Sequence, residues 1–189
     1  MADYTVTITN GTGSQMMNPG SYNISSSYAP GYDMTTLSPT TYTATSPSGS
    51  GAFTIEATGT LTIIFNESGA QGGTPISSGT VVMTDQTGET QYGSVINIDS
   101  NGTAVFEKVP YGSAQSPYTL YFKQLSSDED HNVYPNVFTV GMGDQTQTEY
   151  ILNSLKPTNQ TFTLTDATYT GLPVANAVLD FTPSDSQGE

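Results

Sequence analysis

The alternation of apolar and polar residues predicts an all-β fold for this chain. Apolar residues alternate with threonine or another polar residue in short runs such as 4–8, 60–63 and 118–122, and this period of two is typical of half-buried strands. Turn pairs such as Asn101-Gly102 separate the runs, while helical periodicity is almost absent. Several short strands at this spacing favour a sandwich or a barrel.

Charge and composition exclude several classes of protein. The 189 residues include 3 basic and 17 acidic residues, for a formal net charge of −14. Such a chain lacks the positive charge that neutralises phosphates in nucleic-acid binding, and an anionic membrane surface would repel it. No apolar run approaches the ~20 residues of a membrane-spanning helix. We therefore expect no nucleic-acid partner and no membrane insertion.

Residues for catalysis and metal binding are also scarce. The sequence has no cysteine, so it offers no disulfide, no thiolate ligand and no thiol nucleophile. His131 is the only histidine, which makes a multi-histidine metal site impossible within one chain. No glycine-rich phosphate loop precedes a helix. We expect no enzymatic activity, no cofactor and no metal.

The chain contains one complete repeat unit and parts of two others. The complete unit covers residues 59–152, and its predicted strands lie at 60–65, 80–84, 94–98, 103–107, 118–123, 136–141 and 147–152. The first 58 residues match only the second half of that unit: Pro39 and Tyr42, for example, correspond to Pro135 and Phe138.

The C-terminal residues match only the first half of the unit. Phe162-Thr163-Leu164-Thr165 corresponds to residues 61–64, 171–174 to 73–76, and 177–181 to 80–84. The two partial units are complementary, and together they are about as long as the complete one. We expect an incomplete N-terminal sandwich (1–58), a complete sandwich (59–152), a linker (153–160) and C-terminal strands (161–189).

The complete unit resembles the collagen-adhesin B-type (SpaA-like, prealbumin-like) repeats of Gram-positive surface proteins and pilins. The motifs that carry the resemblance are Gly59-Thr60-Leu61-Thr62-Ile63, residues 101–106, Pro110-Tyr111-Gly112 and Tyr118-Thr119-Leu120. The resemblance implies tandem Greek-key β-sandwiches of the prealbumin or immunoglobulin-like type, with parallel first and last strands. It also implies an extracellular or cell-surface location, although Met1-Ala2-Asp3 does not begin a signal peptide.

In many of these domains an isopeptide bond joins a lysine of the first strand to an asparagine or aspartate of the last. The lysines of this chain are Lys108, Lys123 and Lys156, and none of them lies in a first strand at 60–65 or 161–165. The sequence therefore predicts that this bond is absent. The sorting signal of a wall-anchored pilin is absent from the sequence as well.

The complementary half-units lead to two hypotheses. In the first, the C-terminal segment of one subunit donates two strands to the N-terminal half-sandwich of the next, and a pilus-like homopolymer results. The expected donor residues are Phe162, Leu164, Leu172, Val174, Leu179 and Phe181, and the expected acceptor residues are Val6, Ile8, Tyr22, Ile24, Tyr42, Phe53 and Ile55.

In the second hypothesis, the segment completes its own chain, which gives a monomeric spacer or adhesive module with a circularly permuted first domain. Sandwiches stacked end to end would favour the first hypothesis. The linker 153–160 spans at most ~29 Å, which is less than two strand lengths of roughly 20 Å each plus loops.

Three groups of polar and aromatic residues complete the set of candidates. Asp128-Glu129-Asp130-His131 is a dense polar cluster, for which we expect a solvated loop rather than a weak Ca²⁺ site. Glu107 and Lys108 are expected to form a surface ion pair. The 12 tyrosines fit the core better than an exposed strip that stacks on carbohydrate, and any host or carbohydrate ligand stays unidentified.

Overall fold

The computed structural model describes residues 3–8, 12–25, 29 and 31–182, and all regular elements within these ranges are β-strands. The prediction of an all-β fold is therefore confirmed. The chain divides into two compact units, Met1–Lys156 and Pro157–Glu189. The strands are β1 Gly20–Asn23, β2 Tyr32–Ser38, β3 Thr41–Ala44, β4 Thr54–Ala57, β5 Gly59–Asn66, β6 Gly79–Thr84, β7 Gln91–Ile98, β8 Thr103–Val109, β9 Tyr118–Ser127, β10 Phe138–Met142 and β11 Thr146–Leu152.

Strands β5 to β11 form a sandwich of two sheets. One sheet has the order β11-β5-β8 and the other the order β10-β9-β6-β7. The first and last strands, β5 and β11, pair in parallel, as the family resemblance implies, and the remaining pairs are antiparallel. Each of the seven strands lies where the sequence predicts it.

Alternate residues of these strands fill the space between the two sheets. Leu61, Ile63 and Phe65 of β5 are fully buried, because strand residues two apart point to the same face. From the opposite sheet, the Phe122 ring lies 5.7 Å from that of Phe138, centroid to centroid. The core is thus an aliphatic and phenylalanine core, without any buried tyrosine among the described residues.

The N-terminal strands form two separate antiparallel pairs, β1 with β3 and β2 with β4. Strand β2 is not predicted by the sequence. It pairs with β4 through an irregular register between Asp33 and Ser38, and the Asp33 carboxylate accepts hydrogen bonds from the backbone and hydroxyl of Thr35. Such a bulge interrupts the period-two pattern by which strands are recognised.

The expected strand at residues 4–8 is absent. Val6 and Ile8 are 40 % and 61 % exposed, and no strand pairs with this segment in the described part of the chain. The alternation of the sequence is therefore present without a partner strand to stabilise it.

Close contacts connect the N-terminal strands to the sandwich. The Lys108 ammonium lies 2.6 Å from the Glu56 carboxylate, so the expected pairing of Lys108 with Glu107 is wrong. Lys108 is the extra residue of a bulge in β8, at φ 56°, and the interrupted alternation leaves its side chain facing Glu56 of β4. Gly31, at φ 77°, lies against the Tyr111 backbone, where a side chain would collide with the carbonyl oxygen.

The second unit, described to residue 182, contains no strand. A single antiparallel bridge joins Thr165 to Pro173, and the Asp166 carboxylate accepts backbone hydrogen bonds from Thr168 and Tyr169 in the intervening turn. Within the described residues, no helix has the length and apolar character to span a membrane.

The buried face of β5 should dominate the stability of the sandwich. Replacing the fully buried Phe65 by alanine should lower the free energy of unfolding by about 3–5 kcal/mol, because it removes a ring and leaves a cavity. The matched control is Val105→Ala on the neighbouring strand β8, where the side chain is 43 % exposed. That change should cost less than about 1 kcal/mol. Urea titration measures both, and equal losses would contradict this account of the core.

Candidate assembly interface

The N-terminal strands reproduce pairings found in the second half of the complete sandwich. Strands β1 and β3 are antiparallel, with Tyr22 beside Tyr42, as β9 and β10 are antiparallel with Phe122 beside Phe138. In both cases two aromatic residues meet across neighbouring strands. Strand β4 follows as the counterpart of β11, the last strand of the sandwich.

These strands have free edges where the complete sandwich has strands. Strand β9 pairs with β10 on one edge and with β6 on the other, whereas β1 pairs only with β3 among the described residues. Strand β11 pairs with β5, the first strand of the unit. Strand β4 pairs only with β2 in the described part of the chain. Among the described residues, this half therefore lacks counterparts of β5 and β6, and it also lacks strands in place of β7 and β8.

The expected acceptor residues form a thin, partly exposed apolar surface. Phe53 is 41 % exposed, and its ring lies 6.2 Å from that of Tyr42. The Tyr22 ring lies 5.6 Å from that of Tyr4. We call this the acceptor surface: residues 4–8, Ile24 and Phe53 with strands β1, β3 and β4. None of its predicted residues is fully buried; they are Val6, Ile8, Tyr22, Ile24, Tyr42, Phe53 and Ile55.

The C-terminal unit contains the same local hydrogen bonds as the start of the sandwich. In the sandwich, Asn66 and Pro75 form an antiparallel bridge, and the Ile76 amide donates to the Phe65 carbonyl. In the second unit, Thr165 and Pro173 form the corresponding bridge.

Two further hydrogen bonds extend this match. The Val174 amide donates to the Leu164 carbonyl at 3.1 Å, as Ile76 donates to Phe65 at 3.2 Å. The Asp166 amide donates to the Leu172 carbonyl in the same way as Glu67 donates to Thr74. The segment thus adopts the turn that leads from β5 towards β6, without the strands themselves.

This match corrects the alignment of the two segments. In the alignment that these hydrogen bonds give, Leu164 corresponds to Phe65 and Phe162 corresponds to Ile63. This differs by two residues from the alignment that the sequence motifs indicate. Because the shift is two residues, the same side chains still point to one face. Pro173 corresponds to Pro75, so at the same distance along the chain Leu179 corresponds to Val81. The motif alignment of residues 177–181 therefore shifts by one residue.

Equivalent side chains differ sharply in exposure. Phe65 and Ile76 are fully buried, whereas their counterparts Leu164 and Val174 are 40 % and 43 % exposed. The Phe162 and Phe181 rings contact each other at a tilt of 32°, with 4.5 Å between their centroids, but stay 59 % and 66 % exposed. All six predicted donor residues are exposed, namely Phe162, Leu164, Leu172, Val174, Leu179 and Phe181.

The polar cluster at 128–131 is only partly the solvated loop that the sequence predicts, since Glu129 and Asp130 are exposed but the other two residues are not. The side chains of Asp128 and His131 are only 9 % and 7 % exposed. Asp128 accepts hydrogen bonds from the backbone and hydroxyl of Ser77, and it pairs with His131 Nδ1 at 2.6 Å. His131 Nε2 lies 3.2 Å from the Glu67 carboxylate. Ser77 and Glu67, which are distant in the sequence, thus hold the loop against the sandwich through hydrogen bonds. Local sequence does not reveal such partners.

This network has a defined ionisation state. Burial by itself raises the pKa of Asp128. The hydrogen bonds from Ser77 and His131 together outweigh burial and lower the pKa to about 2. Burial lowers the pKa of His131, whereas its contacts with Asp128 and Glu67 outweigh burial and raise it. The folded chain therefore favours an ionised Asp128 beside a protonated His131.

A lysine occupies the place where a cation would bind this loop. Lys156 Nζ donates to the backbone carbonyls of Asp128 and Glu129 at 3.0 and 2.9 Å, and both carboxylate oxygens of Asp128 already accept hydrogen bonds. Within the described residues no group of three or more acidic or histidine side chains is arranged to hold a metal ion.

The same loop anchors the residues that leave the sandwich. The Asn132 amide donates to the Ser154 carbonyl, and the Lys156 amide donates to the Asp130 carbonyl at 2.7 Å. The Asn153 side chain is buried and donates to Gln124. The first half of the predicted linker 153–160 is thus part of the first unit, and a shorter free stretch begins at Pro157.

Solved structures similar to this chain include pilins of Gram-positive bacteria, as the sequence motifs indicate. The minor pilin of Streptococcus agalactiae aligns at a TM-score of 0.44 and 13 % identity, over 66 % of this chain and 62 % of its own. The pilus 2b backbone protein of group B streptococcus aligns at 0.41 and 14 % identity, over 61 % of this chain and 47 % of its own. BcpA, the major pilin subunit of Bacillus cereus, aligns at 0.39 and 14 % identity, over 56 % of this chain and 32 % of its own.

This chain spans less than two thirds of the length of each of these pilins. No protein-family model and no curated protein sequence matches it. Because each TM-score is below 0.5, the function is derived from the strand edges and exposed side chains of this chain alone.

The stability of the first unit should depend on pH through His131 and Asp128. The contribution of His131, whose folded pKa is raised, is complete below its usual pKa of 6.5 and is lost as the pH rises through the folded value. The contribution of Asp128 is present above 3.8 and is lost as the pH falls through about 2. The free energy of unfolding, measured by urea titration between pH 6 and pH 9, should therefore fall as the pH rises above 6.5.

The variant His131→Gln is the control for this prediction. It removes the only imidazole of the chain while it keeps a polar side chain, so the decrease over this pH interval should largely disappear. A wild-type protein that is equally stable at both ends of the interval would show that the pairing of His131 with Asp128 and Glu67 does not stabilise the fold.

Proposed function

We propose that this protein is the structural subunit of a non-covalent, pilus-like extracellular filament. In this proposal the donor segment, 161–189 of one subunit, completes the acceptor surface of the next subunit with two strands. The observation that carries the proposal is that two N-terminal strands lack partner strands and that the donor segment resembles those missing strands. Strands β1 and β4 lack partners at the edges that β6 and β5 would occupy, and the donor segment has the turn between those two strands with its apolar residues exposed.

The complete sandwich supplies the register for this contact. In the parallel pair of β5 and β11, Phe65 lies beside Ile151. Ile55 corresponds to Ile151, and Leu164 corresponds to Phe65. Leu164 of one subunit should therefore lie beside Ile55 of the next, with the donor strand parallel to β4.

The second donor strand would add to β1. In the sandwich, β6 pairs antiparallel with β9, and β1 is the counterpart of β9. Residues 177–181 would thus run antiparallel to β1, with Leu179 and Phe181 directed into the completed core. Strand edges with unpaired backbone groups favour the addition of a strand, and burial of these side chains adds the hydrophobic contribution.

The contact is heterologous, since a donor segment meets a different surface on its neighbour. Such a contact propagates into a filament unless rotation between subunits closes a ring. Each subunit has a donor segment and an acceptor surface, so a head-to-tail homopolymer needs no second protein. The three lysines lie in β8, in β9 and after β11, outside the first strand that an isopeptide bond of the resembled family would use.

Crosslinking between single-cysteine variants tests the donor contact directly. The natural chain has no cysteine, so Thr54→Cys and Thr163→Cys each introduce one exposed thiol. Thr54 corresponds to Tyr150 and Thr163 to Ile64, which are neighbours in the parallel pair of β5 and β11. A mixture of the two variants, treated with a short bis-maleimide, should give a crosslinked dimer on denaturing gels.

The control mixture contains Thr163→Cys and Asn97→Cys. Asn97 is exposed on β7, a strand that takes no part in the proposed contact. This mixture should give no dimer. If the Thr54 and Thr163 variants do not crosslink in the mixture, while the double variant crosslinks within one chain, the donor segment folds onto its own subunit. The permuted-monomer hypothesis would then replace the filament.

Adjacent substitutions in the second donor strand separate burial from charge. Leu179→Asp places a carboxylate at a position corresponding to Val81, which is fully buried, and should abolish filaments seen by negative-stain electron microscopy, because burial of an unpaired charge costs several kcal/mol. Val178→Asp adds the same charge on the opposite face of the strand, where Val178 is 84 % exposed. This variant should assemble normally, and equal effects of the two would argue against a β-strand at 177–181.

A further inference from the structure

A cleft lies at the end of the sandwich where β6 ends and β7 and β9 begin. Its volume is about 340 Å³, within the lower range of small-ligand sites. The lining combines aromatic rings with short polar side chains and comprises Met83, Thr84, Asp85, Gln86, Tyr92, Pro110, Tyr118, Thr119, Leu120 and Tyr121. The cleft belongs to the first unit and includes no residue of the acceptor surface.

Three tyrosines form the aromatic part of this cleft, and they are not the core residues that the sequence predicts. Tyr92 and Tyr118 are 50 % and 47 % exposed, and Tyr121 is half-buried. Burial raises the pKa of the Tyr32 phenol on β2, and its electrostatic interaction and hydrogen bonding with Tyr118 raise it further.

The polar part of the cleft includes an unsatisfied hydroxyl. Thr84 is only 4 % exposed, and within the described residues its Oγ1 has no hydrogen-bond partner. A buried hydroxyl without a partner is unfavourable. Thr84 lines the cleft but its Oγ1 is itself buried, so a ligand hydroxyl becomes its partner only if the side chain rotates towards the cleft. Asp85 beside it has a pKa lowered to about 2, chiefly by a hydrogen bond from Thr87, and is thus an ionised acceptor.

We propose that this cleft binds a neutral carbohydrate chain through stacking on Tyr92 and Tyr118 and hydrogen bonds to Thr84, Asp85 and Gln86. A pyranose ring presents an apolar face to an aromatic side chain and hydroxyls around its rim, which matches this lining. None of the residues that line the cleft carries a positive charge, and the chain has a net charge of −14. The ligand is therefore a neutral sugar rather than a uronic acid, a phosphorylated polymer or a nucleic acid.

Titration of the full-length protein with defined hexasaccharides tests this proposal. The probes are cellohexaose, chitohexaose and maltohexaose, with hexagalacturonate as the anionic comparison. Binding is followed by tyrosine fluorescence, which no tryptophan obscures, and by calorimetry. We expect saturable binding of at least one neutral probe and none of hexagalacturonate.

Three variants locate the site. Tyr92→Ala should weaken binding by about tenfold through loss of a stacking surface. Thr84→Val should weaken it about fivefold or more while the melting temperature stays equal or rises, because the variant removes an unsatisfied hydroxyl. A purely structural role for Thr84 would not produce this combination. Tyr169→Ala is the matched control, since Tyr169 is 69 % exposed in the second unit, and it should bind as wild type does.

The assembly-defective variant Leu179→Asp separates this proposal from the filament, because the cleft lies outside the proposed contact and should bind the probe equally well there. Absence of saturable binding of every neutral probe up to roughly 10 mM would overturn the proposal. So would unchanged binding in Tyr92→Ala and Thr84→Val. Preferential binding of hexagalacturonate would overturn it as well.

Discussion

The parallel pairing of the first and last strands of the sandwich is the interaction on which the other features depend. Strand β5 lies at the centre of its sheet, between β11 and β8, and contributes the fully buried Leu61, Ile63 and Phe65. Without a first strand, a last strand has an unpaired edge and the core has no central apolar row. Strand β4 pairs only with β2 within the described part of the chain, and the exposed apolar residues near it are those that a first strand would cover in the proposed assembly.

The exit from the sandwich is restrained by side chains rather than by regular structure. His131 and Asp128 are buried together, and the Lys156 ammonium binds the backbone carbonyls of the same loop. These contacts extend the rigid part of the first unit as far as Lys156. A donor segment that begins soon afterwards has a short free linker, which limits the directions in which it can reach a partner.

The tyrosines stay at the margin of the core for a common chemical reason. The core selects phenylalanine and aliphatic residues, whereas the tyrosines lie at its margins, where the hydroxyl keeps access to water or to another polar group. At the end of the sandwich, Tyr92 and Tyr118 border a cleft that also includes Thr84 and Asp85. Tyr111 and Tyr134 still pack against the core, whereas Tyr92 and Tyr118 are about half exposed.

The sequence by itself determined the all-β class and the seven strands of the complete sandwich, because period-two alternation and turn pairs depend only on neighbouring residues. It also pointed to the two half-units and to their exposed apolar residues. It did not reveal β2, whose bulge breaks the alternation, or the pairing of Lys108 with Glu56.

The tertiary structure alone decided which polar residues are buried and how the half-units align. The network of His131, Asp128 and Glu67 joins residues up to 64 positions apart, so no local pattern reveals that the loop turns inward. The alignment of Leu164 with Phe65 required the backbone hydrogen bonds around Pro173 and Pro75, because short motifs of alternating residues match equally well after a shift of two. Burial and register depend on contacts that are distant in the sequence, and these contacts exist only once the chain has folded.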